Sequence, residues 1–189
     1  MVTILLFSCC ASANGGFIEL ARFTWTQGNS HQYILVELDS YVSWNTARVY
    51  ASQFEPGKNT YLATFTSALE WSTIRDAVLE PNRREYDQAW LGATDEESEG
   101  QWTWVTGEPF SYSDPATLDN LDNEDYLVAW RFGPNDPLQW NDLNDTRNNS
   151  NRLLIEADPS SPVPEPTSMV IALLLATFAG RKRRRLLFR

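Results

Sequence analysis

Side chains with carboxylate and amide groups recur in three short stretches of this sequence. Residues 140–142 read Trp-Asn-Asp, residues 123–125 read Asn-Glu-Asp, and residues 95–99 read Asp-Glu-Glu-Ser-Glu. Carboxylate, amide and carbonyl oxygens are the ligands that Ca²⁺ takes in proteins. Each stretch on its own is equally typical of a solvated turn. The choice between a turn and part of a metal site therefore depends on the elements that position these residues.

The composition limits the classes of protein to which this chain can belong. Its 189 residues are 42% hydrophobic and include 8 tryptophans, which is enough for one domain with a sizeable core. There are 25 acidic and 15 basic residues, and six of the basic ones lie in the last nine positions. The rest of the chain is thus strongly acidic. Such a charge argues against nucleic acid or anionic lipid as a partner and suits cation binding, although solubility alone explains it equally well.

Cysteine and histidine, which supply many nucleophiles and zinc ligands, are scarce. Cys9 and Cys10 both lie in the N-terminal apolar segment, so we expect no disulfide and no thiolate chemistry in the rest of the chain. His31 is the single histidine, which nearly excludes a His-based zinc site or a Ser-His-Asp triad. It precedes a predicted strand, and we expect it at an exposed edge. No second catalytic signature accompanies the paired carboxylates, so we do not expect a glycosidase or another enzyme.

The N-terminal segment is typical of a secretory signal peptide. Residues 1–13 combine an apolar run with small residues that end in Ala-Ser-Ala, an arrangement that precedes signal cleavage sites. The usual basic start is missing. A poor lipoprotein box and a buried N-terminal strand are the alternatives.

The C-terminal segment has three parts. Residues 159–166 form a proline-rich linker that contains Pro164, Glu165 and Pro166, and residues 167–189 form a short apolar span with a basic end. As a helix the apolar part is about 18 Å long, short of the ~30 Å hydrocarbon core of a membrane. This layout resembles the PEP-CTERM sorting signal of Gram-negative bacteria, which implies export and cleavage by an exosortase membrane enzyme. A plain tail anchor is the alternative, and in both cases the domain faces away from the cytoplasm.

Residues 14–158 predict a single α+β domain between these two ends. Helices are predicted over residues 44–54, with Ser43 as the N-cap, and over residues 68–79, where Ser67 and Glu70 form a capping box. A loop over residues 106–123, rich in Asp, Asn, Pro and Ser, is long enough to indicate a functional role. Strands are predicted over residues 17–25, 32–38, 61–65, 88–93, 101–105, 126–132, 139–140 and 151–157.

Several of these stretches together resemble the C-type lectin-like domain. Residues 89–104 (AWLGATDEESEGQWTW) are similar to the central signature of that family. Residues 140–142 match its Trp-Asn-Asp motif, and residues 123–126 match the acidic pair before its third strand. The resemblance runs from about residue 30 to residue 158. It implies two helices, short antiparallel sheets and a long calcium-binding loop.

The resemblance also implies a calcium-dependent carbohydrate site. Glu124, Asn141 and Asp142 match three ligand positions of the sugar-binding members, in which hydroxyl groups of the sugar complete the Ca²⁺ shell. Those members carry a Glu-Pro-Asn or Gln-Pro-Asp triplet about eight residues before the position of Glu124. Residues 114–120 read Asp-Pro-Ala-Thr-Leu-Asp-Asn instead, so the triplet is missing and Asn120 is the candidate amide ligand.

A second Ca²⁺ site orders the loop in some members of the family. Asp95, Glu99, Glu124 and Asp125 match the positions of its ligands.

Two functional hypotheses follow from the resemblance and from the missing triplet. The first is an exported, surface-associated domain that binds carbohydrate through Ca²⁺. The alternative, which the missing triplet motivates, is a protein-interaction or extracellular-matrix module of the same fold that binds no sugar.

The disulfides of the family have no counterpart here. The residues that match its four cysteine positions are Ala51, Ile155, Tyr126 and Asp145, and we expect an Ala51–Ile155 contact to fill the space of the first bridge with apolar packing. Each missing bridge forgoes about 2–4 kcal/mol of stability. We also expect four tryptophans to lie in the core rather than to stack on sugar, namely Trp90, Trp102, Trp104 and Trp140.

Overall fold

The computed structural model describes residues 16–84, 88–114, 118, 124–131, 133–144 and 150–159. These residues form two helices and eight strands. Strands and helices alternate in the first part of the domain and strands alone follow, as the sequence predicts for an α+β domain. The strands are β1 (Phe17–Thr24), β2 (Gln32–Val42), β3 (Thr60–Leu62), β4 (Gln88–Thr94), β5 (Thr103–Trp104), β6 (Tyr126–Trp130), β7 (Gln139–Leu143) and β8 (Ser150–Ala157); the helices are α1 (Trp44–Ser52) and α2 (Ala68–Ile74).

Both helices begin at the predicted N-caps. The Ser43 side chain accepts a hydrogen bond from the Thr46 amide, and Ser67 accepts one from the Glu70 amide. The predicted capping box is shifted by one residue, because Glu70 accepts from the backbone amide of Thr66 rather than from that of Ser67. The second helix was predicted to run to residue 79. Its α-helical part ends at Ile74 and continues as a π-helical turn over Arg75–Leu79.

The strands form one mixed sheet in the order β1-β2-β8-β4-β6-β7, with β3 paired to β8 and β5 paired to β4. The sequence predicts several short antiparallel sheets, whereas the structure joins all described strands into one. Its single parallel contact pairs β4 with β8 at Trp90 and Leu153. The strand β1 lies at one edge and β7 lies at the other.

Hydrophobic residues pack on both faces of this sheet. On β2, Tyr33 and Leu35 belong to one buried cluster, whereas Ile34 and Val36 belong to another, as the alternation of side chains along a strand requires. The first cluster includes Trp71 of α2, and the second includes Trp44, Ala47 and Ala51 of α1. Each helix therefore covers one face of the sheet.

The terminal segments were predicted from sequence motifs and from their resemblance to sorting signals. The signal peptide (residues 1–13), Pro164, Glu165 and Pro166 of the sorting motif, and the apolar span with its basic end lie outside the described residues, so their roles stay predictions. Asn120 and Asp145 also lie outside them. Among the residues that the structure describes, no helix is long and apolar enough to cross a membrane.

Candidate functional site

Asp95 lies at the end of β4, where the acidic stretch begins. Its backbone amide donates to the carbonyl of Asp125 at 3.2 Å, which joins this loop to the residue before β6. Its Oδ2 accepts from the amide of Gly100 at 2.8 Å, so the carboxylate folds the loop onto itself. Asp95 is 2% exposed, and its Oδ1 has no hydrogen-bond partner among the described residues. A buried carboxylate oxygen without a donor is costly, and a bound cation or water would remove that cost.

Asp125 shares this acidic environment. Burial raises the pKa of its carboxyl, and the charges of Asp95 and Glu96 raise it further. The predicted ligands Asp95 and Asp125 are therefore brought together. Glu124 adjoins Asp125 and is half-buried, whereas Glu99 lies in the same loop as Asp95 with its side chain exposed.

Asn141 and Asp142 lie on the edge strand β7. The register pairs Asn141 with Val128 and Asp142 with Leu127 of β6. The Asp142 side chain is 1% exposed, whereas that of Asn141 is half-buried, so the two side chains point to opposite faces of the sheet. The groups that do meet are the Asn141 side-chain amide and the Asp142 main-chain carbonyl oxygen, which lie 2.6 Å apart.

Trp140 fixes the strand that carries these residues. It is fully buried, and its ring is surrounded by five aromatic rings with centroids 5.4–6.1 Å away. Trp90 and Trp104 are also buried and Trp102 packs against the core, which confirms that these tryptophans are core residues. The rings around Trp140 are those of Phe65, Trp71, Trp104, Phe110 and Tyr112.

The predicted ligands thus form two groups, Asp95 with Asp125 and Asn141 with Asp142. Glu124 precedes β6, and the residue of β6 that faces Asn141 is Val128, so Glu124 and Asn141 are not cross-strand neighbours. Within the described ranges, no three Asp, Glu, His or Cys side chains converge closely enough to hold a metal ion. All groups present are hard oxygen donors or amides, which is the donor chemistry that Ca²⁺ requires.

A second set of buried polar residues lies near the start of β2 and the end of β8, and sequence reasoning missed it. His31 was expected at an exposed edge, which is wrong: it is half-buried, and its Nδ1 lies 2.5 Å from Oε1 of the buried Glu156. A cavity of about 760 Å³ opens beside His31 and is also lined by Tyr61, Glu108 and Asp158. One sequence signal pointed to Glu156, which interrupts the apolar run of residues 153–157.

Comparisons with known proteins agree with this architecture. Residues 40–152, more than half of the chain, match the family model described as the lectin C-type domain. Halomucin of Haloquadratum walsbyi is 43% identical over 84 residues, which are 43% of this chain and 1% of halomucin. Lectin BRA-3 of Megabalanus rosa is 32% identical over 107 residues, which are 56% of this chain and 60% of BRA-3. The chain spans less than two thirds of the length of either relative.

The solved structure of the C-type lectin CEL-I from Cucumaria echinata has the same fold. It matches with a TM-score of 0.54 and 19% identity over 73% of this chain and 97% of that chain. The two helices and the mixed sheet define a C-type lectin fold. With the match over residues 40–152, the chain belongs to the C-type lectin domain family.

Proposed function

We propose that this domain binds carbohydrate through a Ca²⁺ ion held by Asn141 and Asp142 of β7 with Glu124, which precedes β6, and that it acts outside the cytoplasm. The observation that carries the proposal is the 2.6 Å approach of the Asn141 side-chain amide to the Asp142 carbonyl. It occurs within the Trp-Asn-Asp stretch that resembles the ligand motif of sugar-binding family members. The relatives include proteins that are named lectins, among them BRA-3.

The chemistry of the two groups fits a calcium site. The side-chain oxygen and nitrogen of an asparagine are nearly equal in size and shape. A rotation of the Asn141 amide group by half a turn therefore places its Oδ1 beside the Asp142 carbonyl oxygen. Two oxygens at this distance repel each other unless a cation binds to both of them. Glu124 would add a carboxylate, and Asp95 and Asp125, with Glu99, would hold a second ion that orders the loop. When bound, Ca²⁺ would supply open coordination positions for sugar hydroxyl groups.

The alternative is a module of the same fold that recognises protein or matrix and binds no sugar. Three observations favour it. The Glu-Pro-Asn or Gln-Pro-Asp triplet is missing from residues 114–120. The Asp142 side chain is 1% exposed and faces the core, and no three acidic side chains of the described residues converge on one point.

Calcium binding is tested by titrating Ca²⁺ into the purified chain and following tryptophan fluorescence and melting temperature, with chelator as the blank. We expect saturable binding at or below millimolar Ca²⁺ and a loss of at least tenfold in affinity for Asn141→Ala. Asn151→Ala is the matched control, because Asn151 also donates its side-chain amide to a backbone carbonyl, that of Leu38 at 3.1 Å, but lies on β8. No response to millimolar Ca²⁺, or equal losses in both variants, would contradict the proposed site.

A glycan panel separates the two hypotheses once calcium binding is established. Retention that requires Ca²⁺ and is lost in Asn141→Ala supports carbohydrate binding. Calcium binding without retention of any glycan supports the interaction module. Normal glycan retention by Asn141→Ala would mean that sugar binds elsewhere on the domain.

Export rests on the two terminal segments. The signal peptide of residues 1–13 and the Pro164-Glu165-Pro166 motif with its apolar span predict secretion, transient anchoring in the membrane and release by an exosortase. Mass spectrometry of the mature protein from its native cell should find both termini removed. Replacing the three motif residues by alanine should leave the C-terminal segment attached, and a cytoplasmic, uncleaved chain would refute this part of the proposal.

A further inference from the structure

Four polar side chains form a buried chain of contacts away from the proposed calcium site, and we call His31, Glu156, Tyr33 and Glu70 the buried network. His31 Nδ1 lies 2.5 Å from Glu156 Oε1. The Tyr33 hydroxyl lies 2.7 Å from Glu70 Oε1 and 3.2 Å from Glu156 Oε1. Glu70 is 3% exposed and Glu156 is 2% exposed, so both carboxylates are shielded from water.

The buried network joins segments that are distant in the sequence. His31 directly precedes β2, Tyr33 lies at the start of that strand, Glu156 lies on β8, and Glu70 lies in the first turn of α2. The other oxygens are bonded locally: Glu156 Oε2 accepts from the amide and hydroxyl of Thr64, and Glu70 Oε2 accepts from those of Thr66. The network therefore holds α2 and the segment after β3 against the central strands of the sheet.

Only one cation serves these two carboxylates. Among the described residues, neither Glu70 nor Glu156 has an arginine or lysine within ion-pair distance, and His31 is the sole cationic partner of Glu156. Burying a carboxylate without a counter-charge is strongly unfavourable. Arg48 lines the same cavity and is the nearby cation besides His31. The other titratable groups that face His31 and Glu156 are tyrosines and acids, namely Tyr33, Tyr61, Glu70, Glu108 and Asp158.

Tyr33 has one proton for two carboxylate neighbours. Its shorter contact is to Glu70, and its own oxygen accepts from the Asn29 side-chain amide at 2.8 Å. If Tyr33 donates to Glu70, then Glu156 Oε1 depends on the proton shared with His31. The number of protons in the network, and hence its net charge, is therefore set by His31 and Glu156.

We propose that the buried network is a pH-sensitive latch, which holds β2, β8 and α2 together while the His31–Glu156 pair retains its proton and weakens when that proton is lost to solvent. The neutral imidazole can still donate from Nδ1, so deprotonation removes the positive charge rather than the hydrogen bond. The two buried carboxylates then remain without a counter-charge. His31 is 23% exposed beside the cavity, which gives solvent a route to the imidazole.

The direction of the pH dependence follows from two upward shifts. The hydrogen bond to Glu156 raises the pKa of His31 above its ordinary value, and burial raises the pKa of Glu156. The folded pair thus keeps a proton at pH values where the unfolded chain has released it. A raised pKa contributes stability that is complete below the unfolded pKa, about 6.5 for histidine, and is lost as the pH rises through the folded pKa. The latch is therefore closed at acidic to neutral pH and weakens in alkali.

The test compares urea unfolding of the full chain with that of His31→Gln from pH 6 to pH 9. Glutamine keeps a donor for Glu156 but carries no charge and does not titrate. Retention of one proton makes the unfolding equilibrium constant rise by up to tenfold for each pH unit between 6.5 and the folded pKa. We expect this rise to be missing in His31→Gln. Lys58→Gln is the matched control, because it also removes one cation, which pairs with Glu55, and should keep the parent slope.

The single histidine allows a direct measurement in the folded parent, which also serves if His31→Gln does not fold. Nuclear magnetic resonance of the imidazole should show titration above pH 6.5. Glu70→Gln should lower that midpoint, because the negative charge of Glu70 helps to raise the pKa of His31, and Lys58→Gln should not. A midpoint at or below 6.5, or equal slopes for the parent and His31→Gln, would overturn the proposal.

Discussion

Gly92 lies in the middle of β4, where three backbone segments pass close to one another. Its amide donates to the carbonyl of Ala63 at 2.9 Å, and its carbonyl accepts from the amide of Val105 at 2.8 Å. A Cβ atom at this position would lie 2.2 Å from the Leu62 carbonyl oxygen and 3.0 Å from Val105 Cγ2. The first contact is with backbone, so no side-chain rotation can relieve it. We therefore predict that Gly92→Ala strongly destabilises the domain.

The expected loss can be built from three contributions. Overpacking of a well-packed core costs about 1–3 kcal/mol. Separating Gly92 from Leu62 by roughly 1 Å, the gap between the observed distance and an ordinary contact, weakens its two buried backbone hydrogen bonds, each of which contributes about 1 kcal/mol net. The lower entropy of the unfolded alanine chain offsets about 0.4–1 kcal/mol. The free energy of unfolding should thus fall by about 2–4 kcal/mol.

Urea unfolding followed by tryptophan fluorescence measures this loss. For a domain of this size each 1 kcal/mol lowers the melting temperature by about 2–4 °C, so calorimetry should find a decrease of roughly 4–16 °C. Gly133→Ala is the matched control, since its Cβ would meet only a side-chain oxygen of Asp136 at 3.3 Å. If Gly92→Ala changed stability by no more than Gly133→Ala, the close backbone approach at β4 would be wrong.

Two further predictions concern packing and capping. Ala51 and Ile155 are both fully buried in the same cluster, so Ala51→Cys with Ile155→Cys should form a disulfide. This disulfide should raise the free energy of unfolding by up to about 4.7 kcal/mol for a loop of roughly 100 residues, less the packing energy lost with Ile155. Melting temperatures with and without reductant measure the gain, and failure to crosslink would refute the contact. Ser67→Ala should cost about 1 kcal/mol in urea unfolding, because Ser67 accepts from the Glu70 amide, whereas Ser72→Ala in the same helix should cost less than 0.5 kcal/mol.

Local signals in the sequence predicted the elements that local physics determines. Ser43 and Ser67 mark helix starts because each side chain satisfies an amide three residues later, a contact that needs no distant partner. Trp71, Ile74 and Val78, which are spaced at helical intervals within the predicted helix of residues 68–79, are buried. The change to π-helical bonding at Arg75 was missed, because it depends on how the end of α2 packs rather than on residue preference.

Interactions between distant residues were not accessible in this way. His31 and Glu156 are separated by most of the domain, and neither neighbourhood indicates the other. The arrangement of the candidate site is similar: adjacent positions in the sequence suggested that Asn141 and Asp142 aim at one ion, but strand alternation sends their side chains to opposite faces. A sequence motif does not show whether the side chain or the backbone carbonyl of a residue faces the candidate site. Here the Asp142 carbonyl meets the Asn141 amide.

The buried network also bears on how a domain without disulfides keeps its segments together. The two cysteines of the chain lie at positions 9 and 10, so no bridge can join α1 or α2 to β8. Ala51 and Ile155 lie in the same buried apolar cluster, and apolar packing responds neither to reductant nor to pH. The neighbouring Glu156 instead belongs to the buried network, although apolar residues of similar volume are often at least as stabilising as a buried ion pair. The stability that the buried network contributes therefore depends on pH: it decreases in alkali and does not respond to redox conditions.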